Sequence, residues 1–568
     1  MQKRWVEKPQ LYPEQVQNLS KTLNINPVLA SLLVKREIHT YEDAKAFFCP
    51  DLGQLHDPYL MQDMEKAVFR ITRALKNKEK ILVYGDYDVD GTTAVAVVYC
   101  FLNELAPNYI DYYIPDRYEE GYGISKKGVD FAHTNQFSLI IALDCGIKAN
   151  DLIDYGNQLG VDFIIADHHT PGARLPSAYA VLDPKRADCQ YPFPELSGCG
   201  VGLKIVHALV LRLGLPLEEV YRYLDLVAVS ISADMVPVVG ENRILSFYGL
   251  KKLNDDPCPG LKALINLRGS QAELSSTDLI FHIGPRINAA GRIKHARAAV
   301  ELLISQDPYL ASSLSKEIEG QNHQRKAFDI QITEQATAMI MGSQEMMKRK
   351  TTVVFQPKWH KGVIGIVASR LIDKFYRPTI VLTQSNGLIT GSARSIFGFD
   401  LYAALSQCSE LFEQFGGHKY AAGLTMKKEN VEALQERFEE VVAASIPDEL
   451  LTPELLIDEQ LHFDDVDGKF FRILNRFAPF GQENELPLFL SKNVMVRDIP
   501  QIVGKNHLKI RVSQGSSAIF DCIGFGLSHH NSLVTKGAAI DICYTIEENN
   551  WRGVKSVQLN IKDIRPAT

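Results

Sequence analysis

The sequence predicts an α/β protein: two α/β lobes joined by one long helix, then a small strand-rich barrel. Three observations carry this. Between residues 76 and 305, apolar runs of strand length alternate with helical stretches, and each run ends in acids or imidazoles. One amphipathic pattern then extends from Pro308 to about Met341, with Leu310, Leu314, Ile318, Phe328, Ile332 and Ala336 as spaced apolar positions. After residue 455, short strand-like segments follow one another with glycine between them.

Taken in order, residues 1–75 show mixed Leu/Val and Pro patterning and no visible chemistry. Their start carries no signal-peptide core, and no apolar run approaches the ~18 residues of a membrane span. Nine cysteines without a Cys-x-x-Cys pair fit reduced thiols in a cytoplasm. Cys145 is expected to be a small buried side chain rather than a nucleophile.

The first lobe, 76–305, holds the chemistry. Ile81-Leu82-Val83-Tyr84 reads as a buried strand running into Gly85-Asp86-Tyr87-Asp88-Val89-Asp90-Gly91, a turn into a helix. Three aspartates at alternate positions repel one another, so a folded chain keeps them where cations neutralise them. A calcium loop also opens Asp-x-Asp-x-Asp-Gly, but it needs a Glu where this chain has Val97. A solvated charged turn is the bland alternative. Ser138–Leu143 delivers Asp144-Cys145-Gly146, and Val161–Ala166 delivers Asp167-His168-His169. Leu226–Ile231 is a fourth strand candidate, with Asp234 just beyond. Parallel strands would line all four clusters along one sheet edge, where open α/β sheets place ligands. Carboxylates with one or two imidazoles suit Mn²⁺ or Mg²⁺ better than zinc. Their number suggests two ions sharing a bridging aspartate, as in phosphoryl transfer.

After the connecting helix (306–349), Thr351–Phe355 and Pro378–Leu382 begin a second α/β lobe, 350–450. Gly416-Gly417-His418 and Ala421-Ala422-Gly423 remove side-chain bulk, so their backbone amides form a nest for an anion, with His418 donating to a phosphate oxygen; a tight helix-start turn is the bland account. Ser392 and Arg394, two residues apart, suit a terminal phosphate dianion. Arg117 is a further phosphate candidate from the first lobe, with a surface ion pair as its alternative.

Asp88-Val89-Asp90-Gly91, Asp144-Cys145-Gly146 and Asp167-His168-His169 resemble motifs of the DHH phosphoesterase superfamily. Gly284-Pro285-Arg286-Ile287-Asn288-Ala289-Ala290-Gly291-Arg292 and Phe415–Gly423 narrow the resemblance to its RecJ branch of single-strand-specific 5′→3′ DNA exonucleases, over nearly the whole chain. The resemblance implies DHH and DHH-associated lobes and an OB-fold in 455–568. It implies metal ligation by Asp88, Asp90, Asp144, His168 and Asp234, with Asp144 bridging and Asp86 at or next to the ions. Related pyrophosphatases place a His four residues before the first ligand Asp, where this chain has Tyr84. Asp167 would orient His168, and His169 would stabilise the phosphoryl oxygens or protonate the leaving oxygen. Arg117, Arg286, Asn288, Ser392, Arg394 and His418 become substrate contacts. The implied partner is single-stranded DNA with a 5′ end, with a single-strand-binding protein and a helicase as candidate partners of a monomeric enzyme acting in repair and recombination.

A net charge of −7 argues against a polyanion partner. Six of those negatives, however, sit in the proposed metal cluster. Between Leu456 and Thr568, thirteen Lys/Arg balance thirteen Asp/Glu, so DNA must be held there by local patches. Lys505, Lys509, Arg511, Trp551, Arg552 and Lys555 interleave basic and aromatic groups, which suits sequence-independent stacking of bases. Two other functions stay open: a phosphoesterase of short oligonucleotides, and a non-catalytic DNA-binding scaffold of the same superfamily.

Overall fold

Alternation in three of its strands explains the first lobe. Ile81, Val83, Leu139, Ile141 and Ile164 point to one apolar core, while Leu82, Tyr84, Ile140, Ala142, Phe163 and Ile165 point to another. A sheet buried on both faces needs helices on both, which is the α/β arrangement. The computed structural model describes residues 3–10, 12–270, 272–551 and 554–567. They fall into two compact units, one of 7–291, 295–318 and 456–568, the other of 1–6, 292–294 and 319–455.

In the first unit, β1 (Lys80–Gly85), β2 (Ile110–Tyr113), β3 (Phe137–Leu143), β4 (Asp162–Ala166) and β5 (Ala180–Leu182) form an all-parallel sheet of order β2-β1-β3-β4-β5. The direction of winding reverses between β1 and β3, and ligands bind at such switch points, outside the carboxyl ends of the strands. Helices α1 (Val89–Leu105), α2 (Gly198–Leu213) and α3 (Leu224–Asp234) pack on one face.

Here one expectation is corrected. Leu226–Ile231 is not a strand but the middle of α3, and Asp234 is its last residue. Leu224–Ser232 is buried on every side, so the run has neither a helical nor an alternating period. A continuous apolar run of this length fits a buried strand and a buried helix equally.

The C-terminal part of this unit pairs β-strands Phe489–Val496, Ala539–Trp551, Val554–Pro566, Phe520–Gly524 and His507–Ser513 in that order, and the first also pairs with the last. Its core is shared with N-terminal helices: Leu29, Leu32 and Leu33 pack with Phe463, Phe470, Phe477 and Phe489. Arg511 and Lys555 of the interleaved set are tied to Asp498 and Glu548, whereas Arg552 and the Trp551 side chain lie outside the described residues.

In the second unit, β6 (Thr352–Phe355), β7 (Thr379–Ser385), β8 (Leu388–Arg394), β9 (Gln414–His418) and β10 (Ala421–Met426) form a sheet of order β9-β10-β8-β7-β6. Only β6 and β7 are parallel. Helix α4 (Pro308–Met341) starts in the first unit and ends in the second, where Ile332, Ala336 and Ile340 join the core. Among the described residues no helix is long and apolar enough to cross a membrane, and all nine cysteines are free.

Candidate metal centre

β1 ends at Gly85, and the chain turns at once into α1 with Asp88 as its N-cap, accepting from Gly91 N–H at 3.1 Å. This excludes the calcium loop. Gly91 is required, because a Cβ there would lie 2.5–2.7 Å from the Asp86 backbone. Asp144 follows β3 with φ +58, a left-handed conformation rare for a non-glycine residue and frequent at functional sites. Asp167 follows β4, and α3 brings Asp234 to the same place from its C-terminal turn. There the carboxylate faces the negative end of the helix dipole.

His168 Nε2 lies 3.2 Å from Asp144 Oδ1 and 3.6 Å from both Asp90 Oδ2 and Asp234 Oδ2. Two groups of ligand atoms, Asp144–His168–His169 and Asp90–His168–Asp234, each lie within 4.8 Å and share His168. The ring of His168 is buried and neither nitrogen has a hydrogen-bond partner. A buried imidazole without partners amid carboxylates is a donor set that fits a divalent cation. Asp86 and Asp88 lie outside both groups but within electrostatic reach: Asp88 raises Asp86, and Asp90 raises Asp88.

Burial first, then neighbouring carboxylates, pushes Asp86 and Asp144 well above the usual carboxylate range and Asp234 up to about 8. Burial lowers His168, keeping the ring neutral as a ligand must be. His169 behaves oppositely. Burial opposes its charge, but Asp167 and nearby carboxylates push it up to about 9.

Asp167 corrects a second expectation. Its Oδ1 accepts from His169 Nδ1 at 2.7 Å and from the His168 and His169 amides at 2.8 and 3.1 Å. It therefore orients the His169 ring and not that of His168; spacing alone does not tell which imidazole turns back. Asp167 stays below the usual carboxylate range despite burial, because His169 and backbone amides bond it.

Several contributors escaped the sequence reasoning. Asp90 accepts from Gly198 N–H and Cys199 N–H, both at 2.7 Å, so the N-terminus of α2 grips it. Ser230 Oγ donates to it at 2.7 Å. Ser197-Gly198-Cys199-Gly200 was a readable clue, a hydroxyl N-cap followed by glycines. Asp183, just after β5, is buried with one oxygen unpartnered, and burial pushes it up to about 7. It repeats the strand-end acid pattern, but β5 is only three residues long. Tyr122 donates to the Asp144 carbonyl at 3.1 Å and lies 3.3 Å from His169 Nε2.

Among the predicted substrate contacts, Arg117 stacks on Tyr87 with its guanidinium 4.6 Å from the ring centroid, and it lowers Asp86 and Asp88. Arg286 and Asn288 lie on the helix Gly284–Ile293. Arg286 is buried and donates to the His282 carbonyl at 2.7 Å, and a Cβ at Gly291 would lie 2.9 Å from the Tyr87 carbonyl. The helix thus runs close along the aspartate loop.

Ser392, Arg394 and His418 belong to the second unit. Register places Ser392 opposite Gly423, itself opposite Gly416, and Arg394 opposite Ala421, itself opposite His418. Cross-strand partners share a face, so all three side-chain candidates lie on one side of the sheet. Arg394 Nη1 donates to Ser392 Oγ at 3.0 Å. Gly416–His418 is neither a nest nor a helix start but strand β9, paired in register with β10. Its glycines serve close approach: a Cβ on Gly417 would lie 2.3 Å from the Ala421 carbonyl.

Family models match three stretches: the DHH family N-terminal domain at residues 80–231, the DHHA1 domain at 348–444 and the RecJ OB domain at 457–563. The single-stranded-DNA-specific exonuclease RecJ of Bacillus subtilis is 39% identical over 99% of this chain and 70% of its own length. Crystal structures of Thermus thermophilus RecJ superpose with TM-scores of 0.85 for the Mn²⁺ complex and 0.78 for the Mg²⁺ complex. They are 27% and 26% identical and cover all of this chain and 80% and 79% of theirs. Three domain models in order along one chain, joined to that identity and coverage, place it: the chain belongs to the RecJ family.

Proposed function

We propose that this chain is a single-stranded-DNA-specific exonuclease that degrades 5′→3′ and releases 5′-mononucleotides, using two divalent cations, Mn²⁺ or Mg²⁺. One observation carries this: the carboxylates of Asp90, Asp144 and Asp234 converge on a buried His168 whose ring nitrogens have no hydrogen-bond partner. The named specificity of the relatives and the ions in their structures support the same conclusion. Bound cations supply an acidified water and neutralise the phosphoryl oxygens. Asp88, Asp90, Asp144, His168 and Asp234 would hold them, with Asp86 beside them. His169, held as imidazolium by Asp167, donates to a phosphoryl oxygen or protonates the leaving 3′-oxygen. Ser392, Arg394 and His418 bind the terminal phosphate, and Arg117, Arg286 and Asn288 are the substrate contacts of the catalytic domain.

The proposed division of labour is an accessory segment (1–75), a catalytic DHH domain (76–305), a connecting helix (306–349), a DHH-associated domain (350–450) and a DNA-binding OB domain (455–568). The enzyme would act as a cytoplasmic monomer in repair and recombination, supplied by a helicase and a single-strand-binding protein. Purified protein with Mn²⁺ is expected to release 5′-mononucleotides from 5′-phosphorylated single-stranded DNA and to spare blunt duplex and single-stranded RNA. Asp90→Ala should abolish cleavage and leave binding largely intact. Activity confined to dinucleotides, or binding without hydrolysis, would overturn the proposal.

A further inference from the structure

Phe397 is an aromatic side chain left 67% exposed, and its neighbour Tyr420 is 38% exposed. Their rings are parallel to within 7°, with centroids 6.5 Å apart. That is near the far end of the roughly 4.5–7 Å over which aromatic rings touch, and Phe397 keeps about two-thirds of its surface open. Two open rings sharing one orientation form a surface for a flat, apolar-faced guest. Apolar surface of this kind marks binding when polar groups rim it.

The rim here is cationic. Lys419 Nζ lies 5.5 Å from the Tyr420 ring centroid. Tyr420 follows His418 by two residues, and its N–H donates to His418 Nδ1 at 3.3 Å. The His418 proton therefore sits on Nε2, where it serves as a donor. The Tyr420 carbonyl accepts from Ser395 N–H at 2.9 Å, which ties the ring to the residue after Arg394. Phe397 is three residues past Arg394, at most about 11 Å along the chain. Anion donors and aromatic rings thus lie close together on one unit.

We propose that Phe397 and Tyr420 form a stacking platform for one unpaired nucleobase, that of the nucleotide whose phosphate meets Ser392, Arg394 and His418. This rests on the phosphate assignment made under Proposed function. A base is favoured over a protein partner because the surface pairs flat aromatic faces with positive charge, the combination that single-stranded nucleic acid binds without sequence preference. A duplex end keeps its terminal base paired and stacked, so the platform would also help the protein prefer a free strand.

Fluorescence anisotropy of the full chain in EDTA tests this without turnover. The probes are a 5′-phosphorylated oligothymidylate and the same strand with an abasic 5′ residue. Wild-type protein is expected to bind the abasic strand about 5- to 100-fold more weakly. Phe397→Ala/Tyr420→Ala should weaken binding of the normal strand by a similar factor and make the two strands equivalent, while Phe397→Trp restores the difference. Both positions are exposed, so circular dichroism should be unchanged. Equal binding of the two strands by wild type, or an undiminished abasic penalty in the double variant, would overturn the platform. Neither result touches the cleavage assay with Mn²⁺, whose failure would reject the exonuclease assignment instead.

Discussion

His168 is the residue on which the metal centre turns, because its two buried ring nitrogens make no hydrogen bond although carboxylates surround the ring. In EDTA the acids around it keep their protons to unusually high pH. Asp234 holds one up to about pH 8, and burial shifts Asp86 and Asp144 the same way. A carboxyl whose folded pKa lies above its unfolded one contributes stability that is complete below about pH 4 and lost as pH rises through its folded value. Cations displace those protons, so binding strengthens as pH rises. In EDTA, the Tm should fall between about pH 6 and about pH 9, and Mn²⁺ should raise it more at the higher pH. Equal Mn²⁺ effects at both values would mean the carboxylates were ionised from the start. The residue types here were legible, since acids at strand ends have few other uses. Their pairings were not: which imidazole Asp167 holds depends on side-chain torsions that spacing leaves open.

At the scale of elements, β1, β3 and β4 could be read because each is a short apolar run with an abrupt polar end. The helix α3 could not, because burial on all sides erases its period. The N-terminus of α2 was missed for another reason: its contribution lies in backbone amides, which every residue carries. Its glycines are nonetheless unequal. A Cβ on Gly198 would lie 2.6 Å from Asp144 Cβ and 2.9 Å from its Oδ1, whereas one on Gly200 meets nothing closer than 3.4 Å. Gly198→Ala is expected to displace Asp144 and weaken Mn²⁺ binding about 10- to 100-fold, and Gly200→Ala to change it little. Isothermal titration of both variants separates them; equal affinities would show that α2 does not crowd the site.

For the first unit as a whole, Arg243 is a fastening point. Its guanidinium is buried and donates to the carbonyls of Phe47, Arg476, Phe477, Ala478 and Pro479 at 2.8–3.4 Å, over the Phe47 ring at 3.7 Å. It thus joins the catalytic α/β layer to both the N-terminal helices and the loop after the helix Gly468–Asn475, ahead of the C-terminal strands. Arg243→Met leaves those carbonyls without their donor and should cost about 3–5 kcal/mol, read as a lower urea midpoint. An unchanged midpoint would show that water replaces the guanidinium without loss. None of this was visible along the chain. Residues 1–75 look chemically blank because their partners lie hundreds of positions away.

That shared core also sets an order of events. Leu29, Leu32 and Leu33 share one core with their own neighbours Leu19, Val34 and Ala44 and with the distant Phe463, Phe470 and Phe489, so the far end of the chain completes their burial. At translation rates of about 5–20 residues per second, the roughly 430 intervening residues take on the order of 20–90 s to emerge. Throughout that time the part of this core that the three phenylalanines cover stays open, and the last-made residues close it.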